Sequence, residues 1–188
     1  MKNLIILLFL FVMISCKSQS PIYTLGQSPV NSPENSYLKD TDNVLNKFVG
    51  TWTYNKNGKI FTIILNKAEM VKIIDYYVDE LQGNYIYTIN GNTVVNTNTS
   101  NFTGKKSRIF GFTLWEGNTN KVTLYFKDPE RPRIHSKIIL TYSNQNGIEK
   151  LHWDLKVTGI VPAQGIPGMS LNPATDVRVP TDIELIKQ

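Results

Sequence analysis

The chain has 188 residues, with 20 basic and 15 acidic side chains and a net charge of +5 at neutral pH. The lysines are scattered singly along the predicted strands rather than gathered in a stripe, which argues against the clustered basic face that nucleic acid binding requires. Asparagine, threonine and tyrosine are abundant, and this composition favours strands and turns over helices.

Residues 1–15 have the pattern of a secretory signal peptide. Lys2 gives the segment a positive start, and an uninterrupted apolar run extends from Leu4 to Ile14. That run is too short to cross a bilayer as a helix. Because Lys2 is removed with the signal, the net charge of the mature chain becomes +5 − 1 = +4.

The only cysteine, Cys16, follows this apolar run after one serine. Met13-Ile14-Ser15-Cys16 resembles a bacterial lipobox, in which the cysteine is diacylated and becomes the new N-terminus. The resemblance implies lipidation of Cys16 and attachment to a membrane through that lipid. It also implies a place in the bacterial cell envelope, with the outer membrane as the expected membrane. The alternative is an ordinary signal peptide with an incidental cysteine.

Residues 16–42 are predicted to form the lipidated cysteine and a flexible tether. The segment is rich in proline and serine and has no apolar periodicity. As a random coil it would reach roughly 25–30 Å from the membrane. The alternative is that Ile22, Tyr23 and Leu25 dock on the folded part. The remaining residues, 43–188, are enough for a single domain with one hydrophobic core.

Three Asn-Gly pairs separate alternating apolar runs in this domain, which is the strongest short-range signal for β-hairpins. They are Asn57-Gly58, Asn90-Gly91 and Asn146-Gly147. Each two-residue turn predicts a register in which apolar residues meet apolar residues. The predicted pairs are Trp52 with Ile63, Tyr54 with Phe61, Tyr87 with Val94, Ile86 with Val95, Tyr142 with Leu151, Leu140 with Trp153, and Ile138 with Leu155.

Further strands complete the pattern. A fourth hairpin is predicted around 117–119, with Phe112 and Leu114 facing Val122 and Leu124, and a last strand over 180–187. The stretch 70–81 fits two extended segments, with one amphipathic helix as the alternative. The sequence therefore predicts an all-β fold, an antiparallel up-and-down barrel of about 8–10 strands. A two-sheet β-sandwich is the alternative.

Gly50-Thr51-Trp52 opens the first barrel strand after a short turn at 43–48. This start resembles the Gly-x-Trp opening of lipocalin-like and fatty-acid-binding-type barrels. The resemblance implies that Trp52 closes one end of the barrel beneath a basic residue of the last strand, either Lys187 or Arg178.

A second likeness extends along most of the mature chain. It is carried by Gly50-Thr51-Trp52, Tyr76 to Tyr87, Asn90-Gly91, Asn96-Thr97, Phe126-Lys127-Asp128-Pro129, Leu151-His152-Trp153 and Pro180-Thr181. In these stretches the chain resembles an uncharacterised family of small lipoproteins of flavobacteria and relatives, whose domain has no known function. The likeness implies an envelope location and a β architecture, and it implies no activity.

The two histidines are the first candidates for a metal site or a catalytic base. His135 is predicted opposite Thr158 and His152 opposite Thr141, on one face of the sheet and on the order of 20 Å apart at strand rise. They are too far apart to share a metal ion, so they are expected to be solvated strand residues.

Asp75, Asp79 and Glu80 form the densest acidic group. Their spacing lacks the alternating ligands and the glycine turn of a calcium loop. We therefore expect a solvated strand edge here. The chain also lacks nucleophile elbows and phosphate-binding glycine loops, so no enzyme, no cofactor and no metal site is predicted.

The residues expected to contact a ligand are Trp115, Tyr125, Ile160 and Met169. Trp115 and Tyr125 are predicted to form an outer aromatic pair. Ile160 and Met169 lie in the Gly- and Pro-rich stretch 158–175, which is expected to fold over one end of the barrel. Two functions follow as hypotheses. The protein binds a small apolar or amphipathic ligand inside the barrel, or it is a structural or interaction protein of the envelope whose partner is another envelope protein. A barrel interior filled with side chains would count against the first.

Overall fold

The computed structural model describes residues 20–27, 33–98, 107–161 and 174–188. These residues form eleven strands and one short 3-10 helix, Val44–Phe48. No helix in this part of the chain has the length and apolarity needed to cross a membrane. The strands are β1 (Ile22–Thr24), β2 (Tyr37–Lys39), β3 (Gly50–Lys56), β4 (Lys59–Ile73), β5 (Tyr76–Ile89), β6 (Asn92–Asn96), β7 (Ile109–Trp115), β8 (Asn118–Phe126), β9 (Ile134–Gln145), β10 (Ile148–Ile160) and β11 (Asp182–Lys187).

Eight of these strands close into an antiparallel up-and-down barrel. The order around the barrel is β3, β4, β5, β7, β8, β9, β10 and β11, and β11 returns to β3. The circuit closes between β5 and β7 through three residue pairs, from Leu81 with Gly111 to Gly83 with Ile109. The predicted barrel is confirmed, and the sandwich alternative is wrong because the sheet returns to its own first strand.

Two of the Asn-Gly registers are as predicted. Trp52 lies opposite Ile63 across the first turn, and Leu140 lies opposite Trp153 across the third. The second register differs by one residue, because a bulge in β6 moves the partner of Tyr87 from Val94 to Val95. A bulge in β10 has the same effect on His135, which lies opposite Gly159 and not Thr158.

The β7–β8 hairpin confirms one predicted pair and corrects another. Leu114 lies opposite Val122, but an irregularity between Phe110 and Thr113 shifts the preceding residues. Phe110 consequently lies opposite Tyr125 and stacks on its ring. The other predicted pair, Phe112 with Leu124, is not part of the observed register.

The stretch 70–81 forms two long strands and no helix. β4 and β5 pair as far as Ile73 with Tyr76, and Ile74 and Asp75 form the turn at the hairpin tip. A bulge between Ala68 and Val71 interrupts the ladder. The helical alternative for this stretch is wrong.

Part of the predicted tether is docked on the barrel. β1 and β2 add to the edge of β5 as parallel strands, with Tyr37 opposite Tyr77 and Leu38 opposite Val78. Leu25, Tyr37 and Leu38 are buried in the core. The tether prediction is therefore corrected for 20–27 and 33–42, where the apolar residues find an unpaired strand edge and cover it.

The 3-10 helix closes one end of the barrel. Leu45 and Phe48 are fully buried there, and the Trp52 indole donates a hydrogen bond of 2.8 Å to the Phe48 carbonyl oxygen. Lys187 Nζ of the last strand lies 5.2 Å from the centre of the Trp52 ring. This is the arrangement that the Gly-x-Trp resemblance implied, with Lys187 as the basic residue.

Candidate ligand-binding site

The barrel interior is filled by aromatic side chains. Phe61 and Trp153 meet with ring centres 5.0 Å apart, and Tyr85 and Phe126 meet at 4.9 Å. These rings belong to β4, β10, β5 and β8, so they cross the lumen rather than line one side of it. Within the described residues these contacts occupy part of the lumen, and the two clefts described below lie at the rim and on the outer face.

An ion pair closes the barrel mouth opposite the 3-10 helix. Arg178 donates two hydrogen bonds to the Asp128 carboxylate, one of them at 2.8 Å, and a third to Glu130 at 2.7 Å. The Asp128 carboxylate raises the pKa of Arg178, so the guanidinium stays charged. Arg178 therefore has a structural role at the mouth and does not contact Trp52.

A cleft of about 350 Å³ opens on the rim beside this ion pair. The end of β8, the following loop and the start of β9 form most of it, and Thr158 near the end of β10 forms one side. Its lining residues are Arg108, Tyr125, Phe126, Lys127, Asp128, Pro129, Arg131, Pro132, Ile134, His135, Ser136 and Thr158. We call it the rim cleft.

The rim cleft combines an apolar wall with an excess of positive charge. Three cations line it, Arg108, Lys127 and Arg131, against the single carboxylate of Asp128. Arg131 pairs with Asp176 at 2.8 Å, and Asp128 is held by Arg178. Within the described residues Arg108 and Lys127 have no carboxylate partner, so their charges are available to an anion.

Tyr125 provides the aromatic surface of the rim cleft. Its ring is 51% exposed and stacks on Phe110 with ring centres 5.5 Å apart. Lys137 lies over Tyr125 at 5.5 Å and Lys127 over Phe110 at 4.8 Å. The two stacked rings and their lysines form a ridge beside the cleft.

A second groove, of about 470 Å³, lies near the other side of this ridge. Its lining includes Val71, Ile73 and Phe110 as apolar residues and the buried side chains of Glu80 and Gln82. Gln82 donates a hydrogen bond of 2.8 Å to Glu80. Burial raises the pKa of Glu80, and this hydrogen bond offsets part of the rise.

The acidic group predicted to be a solvated edge is largely buried. Asp79 accepts hydrogen bonds from the Tyr37 hydroxyl, the Asp40 amide at 3.0 Å and the Met70 amide at 3.2 Å. Asp79 and Glu80 are buried and only Asp75 is exposed. The prediction was wrong because β2, which covers this edge, had been assigned to the tether.

The four predicted contact residues do not form one site. Tyr125 lines the rim cleft, and Ile160 lies opposite Ile134, which also lines it. Trp115 lies near the β7–β8 turn, where Lys121 Nζ stands 4.2 Å from its ring centre and Thr123 accepts its indole hydrogen bond at 3.0 Å. Met169 lies outside the described residues.

The histidines are separated as the strand register predicted. His135 lines the rim cleft, whereas His152 is exposed on β10 with its Nε2 3.5 Å from Asp182. The described residues contain no group of three or more side chains able to hold a metal ion.

Sequence reasoning missed Arg108 and Lys127. They are neighbours because the Lys127 amide donates a hydrogen bond of 2.8 Å to the Arg108 carbonyl oxygen. That bond continues the β7–β8 ladder one residue beyond the pair of Ile109 with Phe126. Two register shifts lie between this pair and the turn of the hairpin, so counting from the turn does not predict it. In the sequence, the run Phe126-Lys127-Asp128-Pro129 contributes only to the resemblance to the uncharacterised lipoprotein family.

Comparison with protein families gives one match over the whole chain. A family of unknown function, DUF6705, matches residues 1–188. The chain belongs to the DUF6705 family. No curated protein and no solved structure matches it. Family membership therefore agrees with the β-barrel of unknown function and assigns no ligand to it.

Proposed function

We propose that this DUF6705 protein is a lipid-anchored, non-enzymatic protein of the bacterial cell envelope that binds an amphipathic anion in the rim cleft. The observation that carries the proposal is the lining of that cleft. Two basic side chains without a carboxylate partner among the described residues, Arg108 and Lys127, lie in the same lining as the exposed ring of Tyr125 and the apolar Ile134.

The cleft suits a molecule with a carboxylate or phosphate head and an apolar body. A guanidinium binds both kinds of head with two parallel hydrogen bonds, and Arg108 is placed to do so. Tyr125 and Ile134 then offer an apolar surface to the body. The aromatic contacts across the lumen favour binding at the rim over binding inside the barrel.

The envelope part of the proposal rests on the N-terminal residues. Cys16 follows a signal-like apolar run, and it is the only cysteine in the chain. Replacement of Cys16 by alanine is expected to release the protein from membranes, as measured by fractionation of cells. Retention of Cys16→Ala in the membrane fraction, or a mass for the N-terminal peptide without acyl chains, would reject the anchor.

Ligand binding is tested with dodecanoate, which has one carboxylate and a short apolar chain. Titration followed by NMR of the purified protein should shift the signals of residues around the rim cleft. Arg108→Ala should weaken binding on the order of tenfold, since a charge-assisted hydrogen bond is lost. Tyr125→Ala should weaken it by a smaller factor.

Trp115→Ala is the matched control, because it removes an exposed aromatic residue that does not line the cleft. It should leave the affinity for dodecanoate unchanged. If Arg108→Ala and Trp115→Ala bind equally well, the rim cleft is not the site. Native mass spectrometry of protein from its own host would then show whether another ligand is retained.

A second candidate function is that of an interaction protein that uses the barrel as a scaffold. The filled interior favours it, as does the exposed Trp115 beneath Lys121. Aromatic residues such as tryptophan are enriched at protein contacts. This candidate predicts a specific envelope partner whose cross-linking to the protein is lost in Trp115→Ala and retained in Arg108→Ala.

A further inference from the structure

The docked N-terminal strands hold the start of the folded chain beside the tip of the β4–β5 hairpin. β2 lies between β1 and β5, and the Pro21 carbonyl oxygen accepts a hydrogen bond of 2.8 Å from the Tyr37 amide. At the tip, the Asn35 amide donates a bond of 2.6 Å to the Asp75 carbonyl oxygen. Two strand spacings separate β1 from β5, about 10 Å.

This docking leaves little chain between the barrel and the lipid. Cys16 precedes Pro21 by five residues, which span at most about 18 Å when fully extended. If Cys16 carries the lipid, the linker is too short to hold the barrel far from the bilayer. The corner of the barrel formed by β1 and the β4–β5 tip must then lie close to the membrane surface.

The surface of this corner is apolar where it projects furthest. Ile74 is 85% exposed, Ile22 62% and Met70 57%. The charged residues around them are mixed in sign, with Lys39 and Lys72 beside Glu34, Glu69 and Asp75, so the corner has no excess of positive charge. A lipid surface reached by this corner would therefore be bound through apolar contact and not through anionic headgroups.

The backbone at the tip gives an independent indication. Ile74 has a φ of 46°, in the left-handed region that disfavours β-branched side chains. At the three Asn-Gly turns of the same chain this position is occupied by Asn57, Asn90 and Asn146, with φ of 53°, 49° and 55°. An isoleucine that is both strained and exposed opposes stability and solubility, which points to a functional contact.

We propose that the β4–β5 tip inserts Ile74 into the membrane to which Cys16 is anchored, with Met70 and Ile22 at the interface. The inference rests on the lipid anchor of the proposed function.

The test uses the full-length lipidated protein on phosphatidylcholine vesicles. Cys16 is acylated, so a cysteine introduced as Ile74→Cys is the only one that an environment-sensitive fluorophore can label. The label at position 74 should shift to shorter wavelength on vesicles and be quenched by lipids that carry a quencher in their acyl chains. Ile60→Cys is the control, since Ile60 is also exposed, at 40%, and lies at the opposite end of β4.

Ile74→Asn provides a second, independent measurement. Asparagine suits the left-handed backbone, so this variant should have a melting temperature equal to or a few degrees above that of the wild type. Loss of the isoleucine side chain that inserts into the membrane should nevertheless speed transfer of the lipidated protein between vesicles about tenfold. The two effects have opposite signs, and misfolding cannot produce both.

The outcomes separate this inference from the proposed function. The inference is overturned if the protein is acylated and bound to vesicles but the fluorophore at position 74 shows the same wavelength and quenching as the one at position 60. That result leaves the lipid anchor intact. Unchanged transfer of Ile74→Asn also overturns the inference. If mass spectrometry finds no acyl chain on Cys16, the anchor fails and the inference fails with it.

Discussion

Lys187 Nζ lies 5.2 Å from the ring centre of Trp52 and 2.8 Å from the Glu149 carboxylate. Glu149 also accepts a hydrogen bond of 2.7 Å from Tyr142, whose ring meets Trp52 edge to face at 6.4 Å. The first and last strands of the barrel and the β9–β10 hairpin are thereby joined at one end. This closed circuit of four side chains holds the seam between β11 and β3, where only two residue pairs are formed.

Replacement of Lys187 by methionine should destabilise the barrel. Lys150 provides a matched control, because it forms an ion pair of the same length, 2.8 Å, with Glu184 and has a similar exposure, 26% against 30% for Lys187. Lys187→Met should lower the free energy of unfolding by about 0.5–1 kcal/mol more than Lys150→Met, since only Lys187 lies over an aromatic ring. Urea unfolding measures both. Equal losses would show that the Trp52 contact contributes nothing.

The same circuit predicts a dependence of stability on acid. Hydrogen bonds from Lys187 and Tyr142 lower the pKa of Glu149 below its ordinary value. The charged Glu149 side chain therefore contributes its full stabilisation of the folded state above the unfolded pKa of about 4.3. This stabilisation is lost as the pH falls through the lower pKa of the folded state. Glu149→Gln should lose stability near neutral pH and show a smaller further loss between about pH 5 and pH 2 than the wild type. If the free energy of unfolding falls by the same amount over this pH range in both proteins, the prediction is contradicted.

Glu80 should behave in the opposite way. Burial raises its pKa, so the charged form is disfavoured in the folded state and stability falls as the pH rises through the interval between the unfolded and the folded pKa. Glu80→Gln should therefore be more stable than the wild type at neutral pH, and the difference should vanish below about pH 4.3. Melting temperatures measured across this range test it. If Glu80→Gln remains more stable than the wild type at low pH, the difference arises from packing and not from the charge of Glu80.

Gly83 lies where the edge of β5 passes from β7 to β6. A Cβ at this position would overlap the Ile64 carbonyl oxygen and lie 2.7 Å from Leu65 Cδ2. Gly83→Ala should therefore lower the free energy of unfolding by about 1–3 kcal/mol through overpacking. Gly159→Ala is the control, since a Cβ there meets no atom within 4 Å, and it should change stability by less than about 0.5 kcal/mol. Similar values for the two variants would mean that β4 and β5 can separate freely.

The parts of the fold that were predictable from sequence are those set by local turns. Asn57-Gly58 and Asn146-Gly147 determine their registers because a two-residue turn leaves no freedom in strand pairing, and the alternation of apolar residues fits the same register. The pairing of Trp52 with Ile63 followed directly. Registers beyond a bulge are not predicted in this way. The extra residue Val94, next to Val95, cannot be recognised as a bulge from the pattern of apolar residues.

Features that depend on distant segments were not predictable in this way. The burial of Asp79 requires Tyr37, which lies 42 residues earlier in a stretch that reads as a polar linker. The rim cleft requires Thr158 of β10 to lie beside Arg108, which is 50 residues earlier in the chain. Sequence periodicity describes which face of a strand is apolar, but it does not state which strand edge a distant segment will cover.

The docking of β2 depends on the Tyr37 hydroxyl, which gives the final prediction. Its hydrogen bond to the buried Asp79 carboxylate is lost in Tyr37→Phe, and the carboxylate keeps only its two backbone donors. The expected loss is about 1.5–3 kcal/mol in unfolding free energy, since the lost bond is to a charged group. Residues 20–40 should also become more accessible to limited proteolysis. Tyr23→Phe is the control, because the described residues show no hydrogen bond to that hydroxyl. If Tyr37→Phe is cleaved no faster than Tyr23→Phe, the apolar contacts of Leu25 and Leu38 hold the strands without Asp79.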